Sequence, residues 1–229
     1  MKFTVTGRVQ PERACVRFDK VIWSNERGSI SVACEVSQLL IVIDDPSVDN
    51  YLTAYGTAEH ISQTVLSALG YALACGYKSE ILHVIDEHDV LYVVGVKQDT
   101  LTFPSHDDIF SWALEKSRHD LYLRFAIQDY TSAIVDRIGC AHLCFRAVES
   151  ISKAVGQTKI DKQNWKRMHE ILLTDEETIT ATIKKYADDI RHGNWDKFVP
   201  TTEQQRVDML NLTRDIIAKY MGLIEQGIK

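Results

Sequence analysis

The stretch Asp99-Thr100-Leu101-Thr102-Phe103-Pro104-Ser105-His106 divides two kinds of sequence. Before it, apolar residues alternate or gather in short runs. After Pro104 they recur every three or four positions, and no strand pattern returns. Period two marks a half-buried strand, and spacing of three to four marks a helix. The chain therefore reads as α+β: a mixed α/β N-terminal domain over residues 1–104 and an all-helical bundle over 105–229.

Backward from this joint, Val90–Val96 and Ile81–Ile85 read as a strand pair around the charged turn Asp86-Glu87-His88-Asp89. Val48–Cys75 carries Tyr51, Tyr55, Ala58, Ile61, Val65, Leu69 and Ala72 at helical spacing, with Gly76 placed as a stop. Asp44-Asp45-Pro46-Ser47 breaks the pattern before it, since proline removes an amide donor and short polar side chains favour a turn and a helix start. Gln38–Ile43, Ser29–Ala33, Ala14–Trp23 and Lys2–Gln10 read as strands. In the last of these Phe3, Val5 and Val9 face one way, and Thr4 and Thr6 the other. Asn25-Glu26-Arg27-Gly28 suits a hairpin turn. One long helix on one face of a mostly antiparallel sheet would bury that face.

Forward from the joint, Ser105 with Asp108 resembles a helix start. The stripe Leu123, Ile127, Tyr130, Ile134 is followed by Cys144, Val148, Ile151, Val155, ending near Gly156, and then by Trp165, Met168, Leu172. Thr174 with Glu177 and Thr202 with Gln205 have capping-box spacing ahead of two more stripes, the first ended by Gly193. Five helices joined by short loops make a bundle.

The composition is that of a globular chain, 45% hydrophobic and 25% charged. Its net charge of −6 excludes a surface that grips nucleic acid everywhere. Residues 1–104 hold 8 basic and 13 acidic side chains, and 105–229 hold 18 and 19, so a polyanion would meet the second part. The longest apolar run, Leu39–Ile43, is far below the ~20 residues of a membrane span. The first residues lack a signal-peptide block. The expectation is a cytoplasmic protein with no membrane partner and reduced, buried cysteines at 15, 34, 75, 140 and 144. Cys140, His142 and Cys144 lack the second ligand pair of a closed zinc site, so no metal and no cofactor is expected.

The segment with chemical interest is Ala187-Asp188-Asp189-Ile190-Arg191-His192-Gly193-Asn194-Trp195, between two amphipathic helices. Here the sequence resembles the HEPN superfamily, helical-bundle proteins named for their occurrence in higher eukaryotes and prokaryotes. The resemblance covers about residues 118–227. It rests on the order of helices, on Phe145-Arg146-Ala147-Val148-Glu149-Ser150 in an early bundle helix, on the Trp165 helix and on the Arg at the last inter-helix junction. Many HEPN proteins are metal-independent RNases whose motif is an Arg, a polar residue and a later His. They commonly dimerise through the bundle and often act in toxin–antitoxin or antiviral defence. The resemblance thus implies a homodimer with Arg191 as phosphate clamp and His192 as proton carrier. An imidazole titrates near neutrality and a guanidinium can stabilise a growing phosphate charge.

No His occurs from Gly193 to Phe198, where the family pattern has one. That leaves a second reading open: a catalytically silent HEPN-like module for dimerisation or partner binding, with an N-terminal recognition domain. Arg191 and His192 would then simply meet the negative end of a helix dipole. Arg137 with His142 repeats the Arg–His spacing between early helices and is the alternative catalytic pair. Residues 153–167 carry five basic side chains against Asp161, a net of +4. Lys159, Lys162, Lys166 and Arg167 are therefore candidate RNA contacts, with a solvated helix face as the alternative. Trp195 is a candidate base-stacking residue or a core residue. Arg146 and Glu149, three apart, have the spacing of an ion pair.

Overall fold

A computed structural model describes residues 1–24, 28–94, 106–197 and 199–227, without the side chains of 106–108. The turn residues Asn25, Glu26 and Arg27, the end of the expected strand at 95–96, and the joint at 99–105 lie outside the described residues. The chain divides into two compact units, Met1–Lys97 and Gln98–Lys229.

The first unit is a six-stranded, wholly antiparallel sheet with one helix. Its strands are β1 (Lys2–Gln10), β2 (Phe18–Ser24), β3 (Ser29–Glu35), β4 (Gln38–Asp44), β5 (Lys78–Ile85) and β6 (Leu91–Val93), in the order β2-β3-β4-β1-β5-β6. Helix α1 (Tyr51–Leu73) connects β4 to β5. Register follows the apolar alternation: Phe3 pairs with Ile43, Val5 with Ile41, and Val32 with Ile41 from the other side. These side chains are at most 1% exposed and join Ala54, Ala58 and Leu66 of α1 in one core. A one-residue slip would turn all of them outward, so burial fixes the register. On the opposite face Arg8 Nε donates to Glu80 Oε2 at 2.7 Å and Thr6 Oγ1 shares a hydrogen bond with His83 Nδ1 at 3.1 Å.

Several boundaries differ from the sequence expectation. The run from Ala14 is not strand at its start: Glu12–Ala14 forms a 3-10 turn and pairing begins at Phe18. Val16 is held instead by Ser37, whose Oγ accepts from the Val16 N–H at 2.9 Å. Helix α1 starts at Tyr51, because Asn50 caps it through the Thr53 N–H. It stops at Leu73, before Gly76, since Ala74 takes the left-handed conformation and the Cys75 N–H returns to the Gly70 carbonyl. Cys15 and Cys75 are exposed, not buried, while Cys34, Cys140 and Cys144 are buried; all five are free thiols.

Among its described residues, the second unit consists of helices joined by loops. It comprises α2 (His106–His119), α3 (Leu121–Val135), α4 (Cys140–Gly156), α5 (Asp161–Leu172), α6 (Glu176–Ile179), α7 (Lys185–Arg191) and α8 (Glu203–Glu225). A π-helical turn, Thr180–Lys184, makes α6 and α7 one continuous rod. Leu123, Cys144, Val148, Ile151, Met168, Ile183 and Leu210 are fully buried in a single core. Burying side chains of this size contributes about 1.5–3 kcal/mol each.

The expected first bundle helix is two. Asp120 interrupts it and caps α3 by accepting from the Leu123 N–H at 2.9 Å. Thr174 is not the cap of the next rod: Asp175 accepts from the Thr178 N–H at 2.7 Å, and the Thr174 hydroxyl shares a hydrogen bond with His169 Nδ1. The Thr202–Gln205 capping box is present in both directions. Among the described residues, no helix is long and apolar enough to cross a membrane.

Candidate functional site

Helix α7 ends against α4. Arg191 is its last residue, followed by His192 as C-cap and Gly193 at φ 71°, a backbone that favours glycine. The turn lets Arg191 lie over the ring of Phe145 on α4, with Cζ 5.1 Å from the ring centre. His142, Phe145 and Arg146 sit at positions i, i+3 and i+4 of α4 and share a face. Arg191 is exposed and makes no ion pair among the described residues.

The first helix to flank this face is α3. Its Asp129 Oδ1 lies 3.0 Å from Arg146 Nη2, so Arg146 pairs across helices and not with Glu149, three positions along its own helix. Burial pushes the Asp129 carboxyl above its usual range, against the pull of Arg146 and His142. Burial also pushes the His142 imidazole below its usual value. Arg146 and Arg191 act in the same direction, while Asp129 and Asp136 oppose it. His142 Nδ1 is buried without a hydrogen-bond partner. The structure therefore brings together the Arg of one expected pair and the His of the other, with Asp129 and Arg146.

Of the remaining members of those pairs, His192 stays at the end of α7 and Arg137 leaves the site. His192 is exposed, its backbone N–H bonded to the Asp188 carbonyl. Arg137 turns to α8, where its Nη2 lies 2.7 Å from Glu203 Oε2. That oxygen also accepts from Arg206 Nη1 at 2.9 Å, and Arg206 is only 1% exposed. The Arg206 charge and a hydrogen bond from Cys144 hold the buried Cys140 thiol below its usual pKa, with the Cys144 bond the larger cause.

The basic segment divides. Lys162 and Lys166 line a cleft of about 660 Å³ with Phe145, Trp165, His169 and Lys184. Arg167, one residue on, lines a different pocket of about 340 Å³ with Asp120 and Tyr220. Lys159 is exposed in the α4–α5 loop and Trp195 is 62% exposed on a 3-10 turn. Among the described residues, no three His, Cys, Asp or Glu side chains are grouped to hold a metal ion.

Asp129, Glu203 and Arg206 are the site residues that motif reading passed over. Each had a signal: Asp129 falls among the buried Ala126, Tyr130 and Ala133 of α3, and Arg206 among Val207, Met209 and Leu210 of α8. A charge inside an apolar stripe needs a partner.

Two family descriptions match the chain: the C-terminal domain of a domain of unknown function (DUF8168) over residues 110–225, and the N-terminal domain of the same family over residues 3–94. No curated protein and no solved structure matches it.

Proposed function

The chain belongs to the DUF8168 family, and we propose that its helical unit engages RNA at Arg191 and cleaves the phosphodiester without a metal ion. The observation that carries this reading is the exposed, unpaired Arg191 at the end of α7, set on Phe145 beside His142 and Arg146. The order of helices and the Arg at the last junction support an HEPN-like bundle, with the defence setting that resemblance implies.

In this reading Arg191 holds the phosphate and neutralises its growing charge. His142, whose imidazole burial and two cations push below its usual value, takes the proton of the 2′-hydroxyl. The 2′ oxygen bonds to phosphorus, and the 5′ oxygen leaves with a proton from the exposed His192. A homodimer through the helical unit belongs to the same reading; exposed Leu121, Tyr122 and Phe125 at the start of α3 support it. Light scattering at tens of micromolar should give twice the monomer mass.

One observation favours a silent module instead: Asp129 already engages Arg146, and His142 Nδ1 is buried. A cleavage assay on total RNA with EDTA separates the readings. Arg191→Ala and His142→Gln should each slow cleavage at least ~100-fold, the scale for losing an acid–base group or a placed charge. Full activity in both variants, or none in the wild type, overturns the catalytic reading.

A further inference from the structure

The 660 Å³ cleft along α5 and the π-helical turn adjoins the Arg191 site through one shared residue, Phe145. Phe145 stacks on Trp165 with ring centres 5.7 Å apart and planes 24° from parallel. Trp165 in turn lies 5.9 Å from the His169 ring. Arg191, Phe145, Trp165 and His169 thus form a row of planar groups leading from the candidate phosphate clamp into the cleft. Such a row suits nucleobases, because every base has a π face to stack.

The polar lining carries both charges. Lys162 and Lys166 lie in the first half of α5, and Lys184 closes the π turn. Glu170, Asp175 and Glu176 cluster instead around the α5–α6 junction. Asp175 is occupied as a helix cap, and Glu170 Oε1 lies 3.8 Å from Lys166 Nζ, on two side chains that are both more than half exposed. A pair of that kind is weak and yields to a stronger anion. Lys162, Lys166 and Lys184 are therefore the cleft's cationic groups for an anion. His169 adds a polar atom in need of a partner: its Nδ1 is engaged with Thr174, but its buried Nε2 has none. An unpaired buried polar atom is unfavourable, and the polar edge of a base would give it a partner. The π turn at Thr180–Lys184 belongs to a class of helix irregularity that is frequent at functional sites.

We propose that this cleft binds a nucleotide of single-stranded RNA next to the one held at Arg191, with its base against Trp165 and its phosphate on Lys162, Lys166 and Lys184. The proposal rests on the RNA reading of Arg191. A duplex cannot occupy the cleft, because its bases are already stacked on one another.

Fluorescence anisotropy tests it at fixed low salt with a labelled single-stranded RNA octamer whose 2′-hydroxyls are methylated, so that it cannot be cleaved. Lys162→Glu with Lys166→Glu, and separately Lys184→Glu, change exposed side chains and leave the core intact. Each should raise the Kd at least tenfold, and a blunt RNA duplex should bind the wild type at least tenfold more weakly than the single strand. Trp165→Leu should weaken binding while its melting curve shows the protein folded. If Arg191→Ala weakens binding but the lysine variants do not, the cleft assignment is wrong and the Arg191 reading stands. If the wild-type protein binds no RNA, both fall.

Discussion

Arg191 lies over the ring of Phe145, the guanidinium carbon 5.1 Å from the ring centre, where α7 runs out against α4. The contact joins an exposed cation to a side chain only 4% exposed. Its two halves should therefore respond very differently to truncation. Arg191→Ala removes a surface cation–π contact, with an expected cost of about 0.5–1 kcal/mol in urea unfolding. Phe145→Ala opens a cavity beneath Trp165, for about 3–5 kcal/mol. A loss above about 3 kcal/mol for Arg191→Ala would make Arg191 a structural anchor and not a free cation.

Glu203 serves two arginines with one oxygen. Glu203→Ala strands the buried Arg206, and a stranded buried charge typically costs about 3–5 kcal/mol. Arg206→Met should cost clearly less, because Glu203 keeps Arg137 and the apolar chain fills the same space. Chemical denaturation of both variants reads the asymmetry; equal losses would show that the Arg206 charge itself stabilises the fold.

His142 should make the helical unit sensitive to mild acid. Its folded pKa lies below that of the unfolded chain, about 6.5. Between the two values the unfolded state binds more protons, so stability falls as pH drops through this window and levels off below the folded pKa. The charged groups acting on it are Asp129 on α3, Asp136 after it, Arg146 on α4 and Arg191 on α7. Melting temperatures measured at pH 7.5 and 5 should drop further for the wild type than for His142→Gln. Identical drops would mean that His142 is not the sensor.

Gly156 and Asn164 fix the α4–α5 corner. A Cβ on Gly156 would come within 2.4 Å of the Asn164 Cα, and Asn164 is itself 1% exposed. The Asn164 amide accepts from the Thr158 N–H and hydroxyl at 3.0 and 2.7 Å and donates to the Thr158 carbonyl at 3.0 Å. Gly156→Ala must push the helices apart, and Asn164→Ala leaves buried peptide groups unpaired, so each should cost about 1–3 kcal/mol. Combined, the two should cost less than their sum, since both break one contact. Strict additivity in a double-mutant cycle would refute the coupling.

The α+β division, the strand and helix order, and the Thr202 cap were legible because they rest on local pattern. Period two in Lys2–Gln10 and spacing of three to four in Cys140–Gly156 each require only that one face be buried. The reading failed where a local signal had a rival nearby. Thr174 and Asp175 were both able to cap, and the carboxylate, a stronger acceptor, took the role. Val36 and Ser37 turn the β3–β4 hairpin at φ 48° and 62°, though neither residue type favours it. The Val16 N–H donates to the Ser37 hydroxyl, which donates in turn to the Glu12 carbonyl, and these bonds hold that turn in place.

By itself, then, the sequence determined the order of strands and helices, the apolar faces that turn inward, and that Arg191 would stand at a helix end. Those properties depend on residues within one turn or one strand of each other. Only the tertiary structure decided the partners of the charged groups. Arg191 lies over Phe145, on the helix that carries His142; Arg137 meets Glu203, 66 positions away; and Arg146 meets Asp129. Charge pairs form between whichever groups the packing of apolar faces leaves within a few ångströms, and helix packing, not spacing along the chain, sets those distances.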